Sequence, residues 1–444
     1  MSSETPKTDH QPASRFRKIV AGGSLSSMSR FLRSVLLLSL LVASALAAPT
    51  STPPAAAPPP DFFFIDSSIE NGSPLHWDCA PDGSILISLQ YDHERASANR
   101  ASGHWHFRLE GRPGSTHTIV LQNFANFWNG RPSNPVRGKP ICVLSEDGRA
   151  WRAELMEVIE DRVRLRVTLP AGGVLYLARI EPYRLSDLEK LLAEIRPHPL
   201  VRIEDIGRTV EGRPLEIVRV GRENAPFRVF LRARAHPWEP GGSWVVQGLI
   251  RALLADTPEG RRARDTFCAY VLPMANKDGV ARGRTRFNLR GRDLNRNWDQ
   301  PAPADLAPEN HALEQWLARA NAEGRRPHFA LELHNDAEGR LHLSRPDVPD
   351  LAAYLENMKR FEALLRQHTW FREGSTGSQF RNPGTLGDGW LERFGIPAAV
   401  LEINANWIAG KQKLPLGADW EEFGAKLLPV FSDYFIPASR GSSP

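Results

Sequence analysis

Two histidines and two glutamates of this 444-residue chain have side chains and positions suited to hydrolysis by a bound metal ion. His236 and Glu239 stand three positions apart, and His334 and Glu402 follow later in the chain. Two histidines and one glutamate are a known ligand set for catalytic zinc, which leaves one coordination position open for water. A zinc-bound water is a usable nucleophile near neutral pH, and a carboxylate can take its proton and later pass it to the leaving amine. We therefore predict one Zn2+ per chain, bound by His236, Glu239 and His334, with Glu402 as general base and acid.

The elements around these residues are predicted to form an α/β layer with a mixed, largely parallel sheet flanked by helices. From about Leu185, stretches of strand character alternate with stretches of helical periodicity. The predicted strands are 229–235, 267–273, 328–333 and 398–403, and the predicted helices are 185–195, 243–254, 309–320 and 351–367. Ligands of such sheets bind beyond the carboxyl ends of the strands. Because each candidate residue follows or ends a strand, we expect all four at that edge.

The preceding segment, residues 61–183, is predicted to be an all-β sandwich domain, and residues 184–440 the catalytic domain. Short alternating runs such as Ile85–Leu89 and Val163–Val167 are separated by Gly, Asn, Pro and Asp, which is typical of a sandwich. The aromatic-rich segment Phe124–Trp128 is predicted to pack in the core or between domains.

Residues 1–48 have the pattern of a secretory leader. Arg30 and Arg33 precede an apolar run that ends in Ala45-Leu46-Ala47, a small-x-small cleavage site. This pattern predicts export to the periplasm or outside the cell, with no membrane contact after the leader is removed. An uncleaved membrane anchor is the alternative, and Met28 is an alternative start. Residues 49–60, composed mainly of Ala, Pro, Ser and Thr, are predicted to be a linker.

Most of the net charge of +5 lies in this leader, because residues 1–50 contain six basic and two acidic side chains. A nucleic-acid-binding protein would need its basic face on the folded domain. We therefore predict no nucleic-acid partner. The sequence predicts no oligomeric state.

The chain has three cysteines. In an exported protein, Cys79 and Cys142 are candidates for a disulfide. Cys268 lies in an apolar run and is predicted to be a buried thiol.

A group of arginines and asparagines lies between Glu239 and His334. It includes Arg284, Arg286 and the run Gly291–Trp298. A solvated charged face is the simpler explanation. A carboxylate-binding site is the functional one, because arginine presents a planar fork of donors to a carboxylate and asparagine adds a further donor.

Taken in order, these segments resemble zinc carboxypeptidases of the carboxypeptidase A/B type. The matching segments are Ile206–Leu215, which is similar to the start of their catalytic domain, His236–Glu239, Asp293–Asn297, Leu331–His334 and Val400–Glu402. The closer resemblance is to the cytosolic carboxypeptidase-like branch, whose members carry a β-sandwich before the catalytic domain. The segments Glu181–Leu188 and Arg286–Arg296 are similar to those of that branch.

This resemblance implies a metallocarboxypeptidase that acts on the C-terminus of a peptide or protein, with the metal ligands and general base already named. It implies that Arg286 polarises the scissile carbonyl and stabilises the oxyanion. It also implies that Asn295 and Arg296 hold the terminal carboxylate of the substrate.

The chain departs from the family pattern where a tyrosine usually closes over the substrate. Phe380 is the nearest counterpart, so the aromatic contact is expected without the phenolic hydrogen bond. Arg381, Thr385 and Leu386 are the candidates for the pocket of the terminal side chain.

Two alternatives to a carboxypeptidase follow from the same residues. One is an amidohydrolase of the same superfamily that acts on a cell-wall peptide or an acylated amino acid. The other is a peptide-binding relative that does not hydrolyse its ligand.

Overall fold

In the computed structural model, which describes residues 60–136 and 140–436, the first fourteen strands precede the first helix. The predicted leader and nearly all of the predicted linker lie outside the described residues. The strands are β1 (Phe62–Asp66), β2 (Leu75–Cys79), β3 (Ile85–Leu89), β4 (Asp92–His93), β5 (Arg100–Ala101), β6 (His106–Gly111), β7 (Thr116–Gln122), β8 (Asn126–Trp128), β9 (Arg131–Ser133), β10 (Ile141–Ser145), β11 (Arg152–Leu155), β12 (Glu157–Ile159), β13 (Arg162–Thr168) and β14 (Val174–Ala178).

These strands form two five-stranded sheets and one small four-stranded sheet. The orders are β1-β6-β14-β10-β11, β12-β13-β7-β3-β2 and β4-β5-β8-β9. Alternation explains the two large sheets: along β13, Val163, Leu165 and Val167 are buried while the residues between them are exposed. Trp105 and Phe107 are fully buried in the core that these strands share. This arrangement agrees with the all-β segment predicted from the sequence.

The second part of the chain contains the remaining strands and helices. They are α1 (Leu185–Ile195), β15 (Val201–Arg208), β16 (Pro214–Val220), β17 (Phe227–Ala233), α2 (Gly241–Leu254), α3 (Pro258–Thr266), β18 (Phe267–Leu272), α4 (Lys277–Ala281), α5 (Pro308–Ala322), β19 (Phe329–Asp336), β20 (Arg340–Leu343), α6 (Leu351–His368), α7 (Leu386–Phe394), β21 (Ala398–Asn404) and α8 (Gly417–Phe435).

The seven strands of this part form one mixed sheet in the order β15-β16-β18-β17-β19-β21-β20. The four strands β18, β17, β19 and β21 are parallel, and antiparallel pairs flank them on both sides. Every residue of β18 is buried, as expected for a strand covered on both faces by helices. This sheet confirms the predicted α/β class.

Helices α2 and α8 cover one face of the sheet and approach each other unusually closely. A Cβ atom at Gly248 of α2 would lie 2.0 Å from the carbonyl oxygen of Glu421 in α8. Glycine is therefore required sterically at this crossing, and the two backbones pack without an intervening side chain.

Three expectations need correction. Strand β17 ends at Ala233 instead of Ala235, because Arg234 adopts a left-handed conformation with φ of 61°. Strand β19 continues to Asp336, so His334 lies within it and does not follow it. Cys79 and Cys142 are free thiols within the sandwich core and form no disulfide.

Cys268 is buried, as predicted. Among the described residues, none of the helices combines the length and apolar character needed to cross a bilayer. The described residues belong to one compact unit, so the domain boundary at residue 183 stays a prediction.

Candidate active site

The three predicted metal ligands meet at the carboxyl ends of the parallel strands. His236 and Glu239 lie in the turn between β17 and α2, and His334 lies near the end of the neighbouring strand β19. The Nδ1 atom of His236 is 3.0 Å from Glu239 Oε1, and the Nδ1 atom of His334 is 2.6 Å from Glu239 Oε2. All three side chains are buried. The structure therefore brings the three residues together, and their role as metal ligands stays a prediction.

This donor set fits a tetrahedral zinc ion. The two Nδ1 atoms are 3.1 Å apart, and the ligand atoms of the three residues all lie within 4.8 Å of one another. Bonds of ~2.0–2.1 Å at a tetrahedral angle would separate two nitrogens by roughly 3.3 Å. Burial by itself would raise the pKa of Glu239, but His236 and His334 lower it well below its usual range. The carboxylate is thus held in the charged form that a cation requires.

Asp293 lies behind His236 and connects it to Arg286. Its Oδ1 atom is 3.0 Å from His236 Nε2, and its Oδ2 atom accepts a hydrogen bond of 2.7 Å from Arg286 Nε. Burial would raise the pKa of Asp293, but Arg286 and His236 hold it well below its usual range. An ionised Asp293 fixes the ring of His236 with Nδ1 facing the metal position. Asp293 begins the segment Asp293–Asn297 that resembles the family, but no role was predicted for it.

Glu332 occupies the corresponding position behind His334. Its Oε1 atom is 3.3 Å from His334 Nε2 and 3.0 Å from the buried guanidinium of Arg232. Asn295 Nδ2 is 3.0 Å from the same His334 nitrogen, but its amide oxygen already accepts a hydrogen bond from the Leu386 N–H group. Glu332 therefore presents the carboxylate that faces His334 Nε2 at ion-pair distance, and neither of its oxygens makes a hydrogen bond. Each histidine ligand therefore has its own carboxylate, and each carboxylate its own arginine.

Glu402 lies directly beside the metal position. It is paired with His334 in the register between β21 and β19, and its Oε2 atom is buried without a hydrogen-bond partner. Burial raises the pKa of Glu402 well above its usual range, and the neighbouring Glu239 and Asp336 act in the same direction. A divalent cation at the three ligands would oppose this shift, because an adjacent positive charge favours the ionised carboxyl.

The two predicted substrate arginines line the same crevice, which has a volume of about 450 Å³. Arg286 is fixed by Asp293, and Arg296 donates a hydrogen bond of 2.8 Å to the carbonyl oxygen of Asn295. Asn295 is buried, with its oxygen bonded to Leu386 and its Nδ2 beside His334. Asn295 also lines the crevice.

Phe380 also lines the crevice and packs edge to face against His342, with ring centroids 4.7 Å apart. Burial lowers the pKa of His342 to about 4, and His334 and Arg340 act in the same direction. The imidazole is therefore neutral near pH 7, and its buried Nδ1 atom has no partner. No signal in the sequence distinguished His342 from an ordinary strand residue.

The three predicted specificity residues do not line the crevice. Arg381 donates to the carbonyl oxygens of Ser378 and Phe380 in its own loop, and Thr385 caps helix α7. Leu386 is fully buried in the core beside that helix. The turn Asn382-Pro383-Gly384 directs the chain away from the crevice, and only Asn382 of that turn lines it. The prediction for these three residues is therefore wrong.

Part of the opposite wall comes from the sandwich. Arg100, Asn126, Trp128 and Asn134 line the same crevice as the metal ligands. Phe124 is buried in the sandwich core, as predicted, but Trp128 is half-buried and packs between the two parts of the chain.

A family model described as zinc carboxypeptidase matches residues 188–365. The chain is 34% identical over 290 residues to cytosolic carboxypeptidase 1 of Danio rerio, a match that covers 61% of this chain and 24% of that protein. It is 36% identical over 138 residues to cytosolic carboxypeptidase 2 of the same organism, which covers 29% of this chain and 19% of that protein. Over these residues the chain is similar to zinc carboxypeptidases.

This similarity agrees with the fold. A solved metallo-carboxypeptidase from Burkholderia cenocepacia superposes with a TM-score of 0.72 and 23% identity, over 84% of this chain and 98% of that chain. At this identity the similarity concerns the fold alone. The chain spans about a quarter or less of the length of the two curated relatives, so their activities as whole proteins are not transferred to it.

One prediction is overturned by these comparisons. Both curated relatives are named cytosolic carboxypeptidases, which contradicts the predicted export of this chain. The export prediction depended on residues 30–48, and these lie outside the described residues. An apolar run followed by small residues is a short compositional pattern, and it is a weaker indicator than a match over 290 residues.

Proposed function

We propose that this protein is a zinc-dependent metallocarboxypeptidase that hydrolyses the C-terminal amino acid from peptide or protein substrates. The observation that supports this most is one crevice lined by His236, Glu239 and Glu402 together with two arginines, Arg286 and Arg296. Metal ligands beside a carboxylate with an unpartnered oxygen favour hydrolysis. Two guanidinium groups in the same crevice favour a substrate that ends in a free carboxylate.

In this proposal His236, Glu239 and His334 hold the zinc ion, which when bound would polarise water and the scissile carbonyl. Glu402 accepts a proton from the attacking water and donates it to the nitrogen of the departing amino acid. Its unpartnered Oε2 atom leaves it free to do so. Asp293 and Glu332 keep the two histidine rings in the tautomer that presents Nδ1 to the metal.

Arg286 and Arg296 interact with two different negatively charged groups of the substrate. Arg286 donates to the oxygen that becomes negative as the carbonyl is attacked, a type of stabilisation that is usually a large contribution. Arg296 and the side-chain amide of Asn295 bind the terminal carboxylate. Phe380 covers the terminal residue by apolar contact and offers no hydroxyl group.

The experiment that tests this function is digestion of a peptide library with varied C-termini, followed by mass spectrometry. Each peptide is compared with its C-terminal amide, with and without a zinc chelator, and after zinc is restored. We expect loss of single residues from the C-terminus of free-acid peptides, inhibition by the chelator and recovery with zinc. Cleavage of the amides at the same rate would point to the amidohydrolase alternative. Affinity for the peptides without any cleavage would point to the binding alternative.

A further inference from the structure

Arg286 is contacted from outside the catalytic sheet by two residues of the β-sandwich. The backbone N–H groups of Arg286 and Phe287 donate hydrogen bonds of 2.7 and 2.9 Å to the Oδ2 atom of Asp92. The guanidinium carbon of Arg286 lies 3.7 Å from the ring centroid of Trp128. One contact fixes the backbone of the arginine and the other covers its side chain.

The Asp92 carboxyl group is used for this contact. Only 6% of the residue is exposed, and both side-chain hydrogen bonds that it accepts come from the loop that carries Arg286. Placing a carboxylate in a buried position is unfavourable unless it is hydrogen-bonded. Asp92 therefore serves the geometry of that loop and not the pairing of strand β4, in which any residue could take part.

Trp128 covers a second arginine as well. The guanidinium carbon of Arg296 lies 5.3 Å from the same ring, and the ring of Phe287 lies 5.9 Å from it. Two like charges in one crevice repel each other, and Arg286 acts to lower the pKa of Arg296 in this way. The negative face of the indole offsets this repulsion and limits the orientations of the Arg286 fork.

The same loop is held along its length by the sandwich backbone. The Arg95 N–H group donates a hydrogen bond of 2.7 Å to the carbonyl oxygen of Gly291. Gly291 has a φ of 72°, and a Cβ atom there would lie 2.8 Å from the Arg95 nitrogen. The loop from Arg286 to Gly291 therefore packs against the sandwich, and at Gly291 there is no room for a side chain.

We propose that Asp92 and Trp128 are positioning residues for Arg286, which stabilises the oxyanion, and for Arg296, which binds the terminal carboxylate. The β-sandwich thereby completes the substrate site of the catalytic domain. The proposal rests on the proposed function, because it assumes that Arg286 and Arg296 bind the substrate. It assigns the sandwich a part in catalysis beyond support of folding. The metal ligands are instead oriented by Asp293 and Glu332 from the catalytic part.

The test compares Asp92→Ala, Trp128→Ala and Trp128→Phe with two control variants of the same domain. Trp77→Phe is the matched aromatic control, because Trp77 is also half-buried but packs against the sandwich core. Asp78→Ala is the matched carboxylate control, because Asp78 is exposed. The full-length zinc-loaded protein is used, and kcat, KM, zinc affinity and Tm are measured for each variant.

We expect kcat/KM to fall about 10- to 100-fold in Asp92→Ala and Trp128→Ala, mainly through kcat, because a small misplacement of a catalytic group has effects of this size. Zinc affinity should stay unchanged, and Trp128→Phe should recover most of the loss. The two controls should behave like the wild type. Folded Asp92→Ala and Trp128→Ala proteins with wild-type kcat/KM would overturn the proposal. So would losses that simply follow Tm and zinc content.

A binding measurement separates failure of this proposal from failure of the proposed function. In the Glu402→Gln background, calorimetry compares a peptide that has a free C-terminal carboxylate with its amide. Trp128→Ala should weaken binding of the free acid and leave the amide unaffected. If the wild type cleaves no peptide but this difference appears, the positioning role stands and the hydrolytic function fails. If no difference appears, the positioning role fails.

Discussion

Asp293→Asn perturbs the metal and the oxyanion arginine at the same time. Asp293 contacts His236 Nε2 at 3.0 Å through one oxygen and Arg286 Nε at 2.7 Å through the other. Asparagine has a single oxygen, so it can accept from only one of these two donors. If its NH2 group faces His236, the ring changes tautomer and Nδ1 carries the hydrogen, which blocks the metal position. If its NH2 group faces Arg286, the guanidinium loses its anchor.

The expected size of the effect follows from these two bonds. Loss of the carboxylate behind a histidine ligand lowers metal affinity about 10- to 100-fold. Loss of one oxyanion donor lowers kcat about 10²- to 10³-fold. An amide at this position loses its contact with either His236 or Arg286, but not with both at once. The effects on metal affinity and on kcat should therefore not simply multiply. We expect zinc affinity to fall about 10-fold or more and kcat/KM at saturating zinc to fall about 100-fold.

Zinc affinity is measured by competition with a chelator of known affinity, and kcat/KM is measured separately at saturating zinc. Asp299→Asn is the control, because Asp299 is exposed in the segment that follows Asp293. Thermal unfolding checks that both variants are folded. Values of zinc affinity and kcat/KM within about threefold of the wild type would refute the role given to Asp293.

Three further predictions concern individual carboxylates. Glu332→Gln should weaken zinc binding about 10-fold or more while leaving Arg286 and the KM of the substrate unaffected, which chelator competition and steady-state kinetics can check. Glu402→Gln should retain zinc, measured by metal analysis, but lose about 10²- to 10⁴-fold in kcat, and full activity would contradict the assigned general base. Burial raises the pKa of Glu181 from 4.5 to about 7. The folded protein therefore binds this proton more tightly than the unfolded chain does. The resulting contribution to stability is complete below about pH 4.5 and is lost as the pH rises through 7. Glu181→Gln keeps an acceptor for the Gly417 N–H group, so its Tm should exceed that of the wild type increasingly between pH 5 and about pH 8, and a difference independent of pH would contradict this reasoning.

The sequence alone was sufficient for the parts of the site that depend on local spacing. His236 and Glu239 are three positions apart in one turn, so they reach one metal position whatever surrounds them. His334 and Glu402 lie near the carboxyl ends of two predicted parallel strands, and in the structure these strands are adjacent and pair the two residues. The order of the motifs along the chain predicted the family in the same way, because it requires no knowledge of packing.

Some errors arose where a local pattern had a competing explanation in three dimensions. Arg381, Thr385 and Leu386 follow Phe380 in sequence, but a proline-containing turn places their side chains away from the crevice. Strand β20 is four residues long, and its alternation of polar and apolar residues is too short for the strand to be predicted. His342, which lies in it, was therefore not predicted as a site residue.

The tertiary structure alone decided which residues support the site. Glu332 lies two positions before His334 in the same strand, and this spacing places any two strand residues on the same side of the sheet. Only its buried contacts with His334 and Arg232 therefore distinguish it from other strand residues. Asp92 and Trp128 reach Arg286 from strands of the sandwich that are far away in the chain. Residue types and short spacings determine which groups can do the chemistry. The choice of partners that orient those groups depends on contacts between distant segments, because a carboxylate or an indole has no preferred partner until packing supplies one.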